Sequence, residues 1–255
     1  MTLPFEDLTS SVAKLITEAN HVVILSGAGL ATPSGIPDFR SAKTGLWETN
    51  DPMQVASLSA FRHRPNDFFN WLKPLAEKIY YAKPNFAHTA LATLEQSGKI
   101  KAIVTQNIDC LHQKAGSKNV IEVHGSIAQL ECPKCKAIIS FNDELMLNFI
   151  EEFSIPTCNH CGSNLKPSIT LFEEMLPYEA WNLATHHFEN ADLVIVVGSS
   201  LEVSPANQLP MIAISNGAKL IINTLSTTPI DSRATLLVNY DVVAVWKSIL
   251  GKFQN

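Results

Sequence analysis

The chain has 255 residues, enough to bury a substantial core as one large domain with inserts. Apolar residues make up 46% and charged residues 17%, the balance of a soluble enzyme, and no apolar run approaches the roughly 20 residues that span a bilayer. The formal charge of −5 excludes the basic footprint that phosphate-backbone binding demands, while leaving room for cationic, lysine-rich partners.

The first residues, MTLPFEDLTSSVAKL, lack the basic start and apolar stretch of a secretory signal, and a reduced, cytoplasmic setting is expected. Leu8, Val12, Leu15 and Ile16 share one face of a helix. Short β-branched runs follow: VVIL after His21, KAIV after Ile100, VIEV after Asn119, LVIVV after Asp192 and KLII after Ala218. Helical stretches at Ala87–Gln96, Tyr178–Phe188 and Ala206–Asn216 separate several of them. Fully apolar strands alternating with helices predict a parallel sheet covered on both faces. Two regions break the alternation. One, 41–84, is aromatic-rich and reads as a helical insert; the other, 127–171, holds two cysteine pairs. The expected architecture is a doubly wound α/β domain built from 1–40, 85–126 and 172–255, bearing the helical insert and a small metal-binding domain beside a cleft.

After the first strand, Gly27 and Gly29 remove side chains where a backbone could approach a pyrophosphate. The spacing is not GxGxxG, since Thr32 stands at the third position, and a purely structural turn explains the segment about as well. The continuation PSGIPDFR places Pro33 and Pro37 around Gly35 and so holds Asp38, Phe39 and Arg40 in a defined loop. After KAIV, Gln106, Asn107 and Asp109 arrive where a parallel strand ends, the edge at which open α/β sheets bind ligands. The Gln106 and Asn107 carboxamides suit ribose hydroxyls and an amide-bearing base; capping of the next helix would occupy Asn107 or Asp109. Of the eight histidines, only His124 joins a strand end to an adjacent glycine, Gly125, and an imidazole there suits a general base. His88 and His112 lie on helical segments and are expected to pack or cap.

Cys132-Pro-Lys-Cys135 and Cys158-Asn-His-Cys161 are separated by 22 residues. Two Cys-x-x-Cys loops wrap four thiolates around one tetrahedral ion, which points to structural zinc with no open position. His160, inside the second loop, is a weaker candidate ligand, and Cys110 reads as a buried small residue.

Taken in order, these segments resemble the sirtuins over nearly the whole chain. GAGLATPSGIPDFR looks like the family's first NAD-binding segment, TQNIDCLHQKAG its second, VHGS its catalytic-histidine segment, GSSLEVSPA its adenosine-side loop and IINT its ribose-contacting segment. The resemblance implies a Rossmann-like large domain with a zinc-bearing small one, and NAD and acyl-lysine entering the cleft from opposite sides. It implies NAD contacts from Ala28, Thr32, Phe39 and Arg40 and a nicotinamide pocket of Gln106, Ile108 and Asp109, with Asn107 near the ribose. Gly198, Ser199, Ser200 and Asn223 would hold the adenosine half, with Asp241 and Val242 toward the adenine. The implied reaction moves the acyl group from lysine to ribose as nicotinamide leaves, with His124 as base on a ribose hydroxyl, and consumes one water in giving nicotinamide, free lysine and O-acyl-ADP-ribose.

Two departures stand out. Ala31 replaces the family's usual serine, and Phe172-Glu173-Glu174 replaces Phe-Gly-Glu in the substrate segment, so Glu173 would restrict backbone approach or attract a basic peptide. GLWETNDPM lacks the tyrosine and arginine of succinyl-preferring members, so acetyl or longer apolar acyl groups are expected. The competing readings are a mono-ADP-ribosyltransferase or NAD glycohydrolase, and a non-catalytic zinc module. An acyl-lysine protein or peptide is the expected partner, with no specific nucleic acid or membrane, and the chain is expected to act as a monomer.

Overall fold

The computed structural model describes residues 4–39 and 45–254. Helix α1 (Phe5–Glu18) starts at Pro4 with Glu6 and Asp7 in its first turn, where acids favour the amide end of the helix, and buries Leu8, Val12 and Ile16. Strand β1 (Val22–Ser26) follows, then two short 3₁₀ turns at Ala28–Leu30 and Thr32–Ser34. Helices α2 (Pro52–Val55), α3 (Leu58–His63) and α4 (Pro65–Tyr81) form the aromatic-rich region. Helix α5 (Phe86–Gln96), strand β2 (Ala102–Thr105), helix α6 (Leu111–Lys114) and strand β3 (Val120–Glu122) return to the alternating pattern. Strands β4 (Gly125–Glu131) and β5 (Ile138–Ser140), helix α7 (Asp143–Glu152) and strand β6 (Lys166–Ile169) form the cysteine-bearing part. Helix α8 (Tyr178–Glu189), strand β7 (Leu193–Val197), helix α9 (Leu209–Ser215), strands β8 (Lys219–Asn223) and β9 (Leu236–Leu237), and helix α10 (Val242–Gly251) complete the chain.

Six strands pair in the order β3-β2-β1-β7-β8-β9, every pair parallel. Strand side chains alternate between faces, so Val22, Ile24, Leu193, Ile195 and Val197 join the core with α1, α5 and α10. Val23, Leu25, Val194 and Val196 point the other way and pack with α8 and α9. Burial on both faces is why these strands read as uninterrupted apolar runs. The strand order progresses outward in opposite directions from β1 and β7, so the crevice above their carboxyl ends is the topological switch point.

A second, antiparallel sheet has the order β5-β4-β6. Its core is shared with the helical region: Phe61, Phe68, Phe69, Leu72 and Ile79 from α3 and α4 are buried with Ile127, Leu130, Met146, Phe149 and Ile169. Phe69 meets Phe149 edge to face at 5.8 Å. The two regions that interrupt the alternation in sequence therefore fold around one hydrophobic centre. No helix among the described residues is long and apolar enough to cross a membrane.

Candidate active site and metal centre

A cavity of about 1170 Å³ runs over the switch point, and its walls come from both bodies. Gly27, at the end of β1, donates from N–H to Val197 O (3.0 Å), and Gly29 donates to Gly198 O (2.8 Å). A Cβ on Gly27 would lie 2.8 Å from Ser199 Cβ, and one on Gly198 would collide with the Leu30 amide. Gly198 also holds φ +64°, a left-handed conformation that L side chains resist. These glycines let the loops after β1 and β7 interlock. That is a structural reason for GxG alongside the expected phosphate approach.

Of the residues expected at the cofactor, Gly27, Ala28, Gly29, Thr32, Asp38, Phe39, Gln106, Asn107, Ile108, Gly198, Ser199, Ser200, Asp241 and Val242 all line this cavity, as does His124. Asp109 and Asn223 do not. Asp109 is buried, its carboxylate accepts from Leu111 N–H (2.8 Å), and burial raises its pKa to about 6. It is the member of the polar cluster that bonds the first amide of the following helix, one residue ahead of the cap position at Cys110. Asn223 is also buried, and its Nδ2 donates to Val238 O (2.8 Å) and Tyr240 O (3.0 Å); Thr224–Thr227 form the wall in front of it. Arg40 lies outside the described residues.

His124 sits in the tight turn between β3 and β4. Its Nδ1 is 2.9 Å from Gln106 O, and since a carbonyl only accepts, the imidazole proton is on Nδ1. Nε2 is left with its lone pair, the arrangement a general base requires. Burial lowers the His124 pKa, with the Gln106 bond opposing, so the ring stays neutral at pH 7. Thr170 N–H donates to His124 O (2.8 Å) and fixes the turn to the small sheet. Gly125, at φ +74°, packs where a Cβ would overlap Ser168 O; the glycine serves close strand pairing rather than open space beside the histidine.

Part of the cavity wall is aromatic. Phe39 stacks on Trp47 (5.2 Å between centroids), Trp47 stacks on Trp71 (5.8 Å), and Phe172 meets Trp47 edge-on (6.1 Å). Trp47 and Trp71 carry no signal of their own in the sequence, because an aromatic in a helical insert reads first as core. Glu173 takes φ +74° in the position where a glycine was expected, and its Oε2 accepts from Ser59 N–H (2.8 Å) at the start of α3. Bonding to Ser59 lowers its pKa. The carboxylate is thus engaged with the helical insert. Its neighbour Glu174 accepts from Leu171 N–H (2.9 Å) and pairs with Lys166 (2.9 Å). Phe172 is bound on both backbone sides, donating to Ala56 O (3.1 Å) and accepting from Leu58 N–H (3.0 Å).

The four sulfurs of Cys132, Cys135, Cys158 and Cys161 lie within 4.8 Å of one another, with the nearest pairs at 3.4 and 3.5 Å. A tetrahedral ion with bonds of about 2.3 Å needs sulfurs about 3.8 Å apart, so this set fits zinc. The two loops share one backbone plan: Lys136 N–H donates to Cys132 O (3.0 Å) and Gly162 N–H to Cys158 O (2.8 Å), each donor with positive φ. His160 is exposed and is not one of the clustered groups.

The Sir2 family model matches residues 27–205. An NAD-dependent protein deacetylase of Thermotoga maritima is 41% identical over 236 residues, 92% of this chain and 94% of that protein. An NAD-dependent protein deacylase of Archaeoglobus fulgidus is 42% identical over 230 residues, 89% and 88% of the two chains. Among solved structures, a Sir2 with a p53 peptide and NAD+ superposes with a TM-score of 0.87 at 39% identity, covering 96% of this chain and 98% of that one.

Proposed function

The chain belongs to the Sir2 family, and on that premise we propose that it removes acyl groups from protein lysine in an NAD-dependent reaction, yielding nicotinamide and O-acyl-ADP-ribose. The observation that carries the reading is the His124 tautomer: a neutral imidazole whose Nε2 is unprotonated, on the wall of a cavity of about 1170 Å³.

We assign Asp241, Val242 and the Gly198–Ser200 loop to the adenosine half of NAD, Gly27–Gly29 to its pyrophosphate, and Gln106, Asn107 and Ile108 to nicotinamide; all of them line the one cavity. When bound, NAD supplies an electrophilic ribose carbon, a leaving nicotinamide and a ribose hydroxyl that takes the acyl group. His124 Nε2 accepts the proton of that hydroxyl, and the Gln106 carbonyl stabilises the charge gained on the ring. Asn107, held by its Nδ2 bond to Gly27 O (3.1 Å), presents a fixed carboxamide face beside the ribose. The Phe39, Trp47, Trp71 and Phe172 wall excludes water and favours an apolar acyl chain over a charged one. Zinc, held by the four cysteines, ties the β4–β5 hairpin to the 158–161 loop and takes no part in the chemistry. A reducing, cytoplasmic setting suits four unbridged cysteine ligands.

The test is a panel of acetyl-, butyryl- and succinyl-lysine peptides with NAD, run on wild type and His124→Ala. Acetyl and butyryl peptides are expected to lose their acyl groups at least tenfold faster than succinyl, with turnover lost in the variant. NAD consumption with every peptide left acylated, or ADP-ribose attached to protein, would favour transferase or glycohydrolase chemistry instead.

A further inference from the structure

Beneath the cavity floor runs a chain of buried polar groups that the reaction does not use. Ser26, the last residue of β1, donates through Oγ to Thr105 Oγ1 (2.8 Å), which also accepts from Asn107 N–H (3.0 Å). The Ser26 hydroxyl has one proton, committed to Thr105. The 2.8 Å contact between Ser26 Oγ and His112 Nε2 therefore requires the imidazole to donate. His112 is thereby an Nε2–H tautomer with Nδ1 as an acceptor.

His88 packs edge to face against that ring, 5.1 Å between centroids. Its Nδ1 accepts from Asn85 N–H (3.3 Å), which puts its proton on Nε2. His88 Nε2 and His112 Nδ1 are both buried without a hydrogen-bond partner, one a donor and the other an acceptor, on neighbouring rings. Burial holds His112 down to about 3 and His88 down to about 4, so both stay neutral. Asn85 in turn donates through Nδ2 to Leu30 O (2.8 Å) and Ser34 Oγ (3.0 Å), in the turn that follows Gly27 and Gly29. A phenylalanine would fill the His112 site without burying two ring nitrogens, so packing alone does not account for the choice.

We propose that His112 is a positioning residue: through Ser26 and Thr105 it sets Asn107 against Gly27, and by packing edge to face on His88, which Asn85 ties to Leu30 and Ser34, it couples that strand end to the Leu30–Ser34 turn. This rests on the reading above that these loops hold NAD. The network supplies the rigidity: two loops that contact the cofactor are joined under its binding surface to one ring of fixed tautomer.

The experiment combines imidazole nitrogen NMR on the wild type with His112→Gln, which keeps an N–H near Nε2, and His112→Phe, which keeps only shape. His112 should appear as the Nε2–H tautomer and remain neutral to about pH 5. His112→Phe should shift the Asn107 amide resonance, weaken NAD binding in calorimetry about tenfold and lower kcat about tenfold, with the peptide KM unchanged. His112→Gln should recover most of each. An Nδ1–H tautomer, wild-type NAD affinity in His112→Phe, or equal losses in both variants would overturn the proposal. Should His112→Phe fail to fold, Ser26→Ala removes the middle link at little change in volume and carries the same expectations. If wild type leaves acetyl-lysine untouched in the presence of NAD, the functional reading fails. The tautomer and the Asn107 resonance still decide this proposal.

Discussion

His124 carries one proton on Nδ1, and the Gln106 carbonyl is what decides the nitrogen. Its lowered pKa means the proposed base stays unprotonated to a lower pH than a free imidazole, so the acid limb of kcat/KM, which reports the free enzyme, should fall below the ordinary pH of about 6.5. An acid limb above pH 7 would contradict the assignment. Gly198 offers a sharper steric test. Gly198→Ala sets a Cβ against the Leu30 amide at φ +64°, and a loss of about 2–4 kcal/mol in stability is expected, together with weaker NAD binding. Gly217→Ala, at φ +92° with nothing near its Cβ, should lose only about 1 kcal/mol and leave NAD binding alone. Denaturant melts of both variants would separate strain from collision. At this scale the sequence is uneven. His124 is legible from its strand end and neighbouring glycine, and the zinc ligands from their spacing. Glu173 is not, because a left-handed glutamate bonded to Ser59 depends on α3 lying alongside.

Helices α5 and α6 bring the two neutral histidines together, which has a consequence for stability in acid. Both rings have folded-state pKa values below 6.5, at about 4 for His88 and about 3 for His112. As pH falls through 6.5 the unfolded chain takes up two protons that the folded chain refuses, so stability drops from there toward pH 4 and 3. Asp109 acts oppositely. Held at about 6, it keeps its proton in the folded chain between roughly pH 4 and 6 while the unfolded chain loses it, so it offsets part of the loss in that interval. The melting temperature should therefore fall from pH 7 to pH 5, and less steeply in His112→Gln than in wild type; equal slopes would contradict the assignment. The second core gives another prediction. Phe149 is fully buried against Phe69, so Phe149→Ala should destabilise by about 3–5 kcal/mol. Zinc chelation should speed amide exchange in β4, β5 and β6 and, through that core, in α4, while β1 and β7 stay protected. Exchange confined to the cysteine loops would argue against a shared core. The sequence reads 41–84 as a helical insert and 127–171 as a separate metal-binding domain; the mutual burial of α4 and α7 is a tertiary fact that no local pattern encodes.

Across the whole molecule, the parallel sheet is readable because each strand is buried on both faces and so loses polar alternation, as LVIVV at β7 does. The site is readable because motif residues cluster where β1, β2, β3 and β7 end, and the strand order brings those ends to one switch point. The aromatic wall is less so: Trp47 and Trp71 come from the insert, and only the closure of two bodies turns core-like residues into cavity lining. The central claim is that this enclosed site hands the acyl group to ribose rather than to water. The most direct measurement is the mass balance of one incubation with an acetyl-lysine peptide and NAD, resolved by mass spectrometry from the earliest time points. Free lysine, nicotinamide and O-acetyl-ADP-ribose should form in equal amounts. Free acetate with ADP-ribose from the first turnover, or loss of acetyl without NAD consumption, would contradict it.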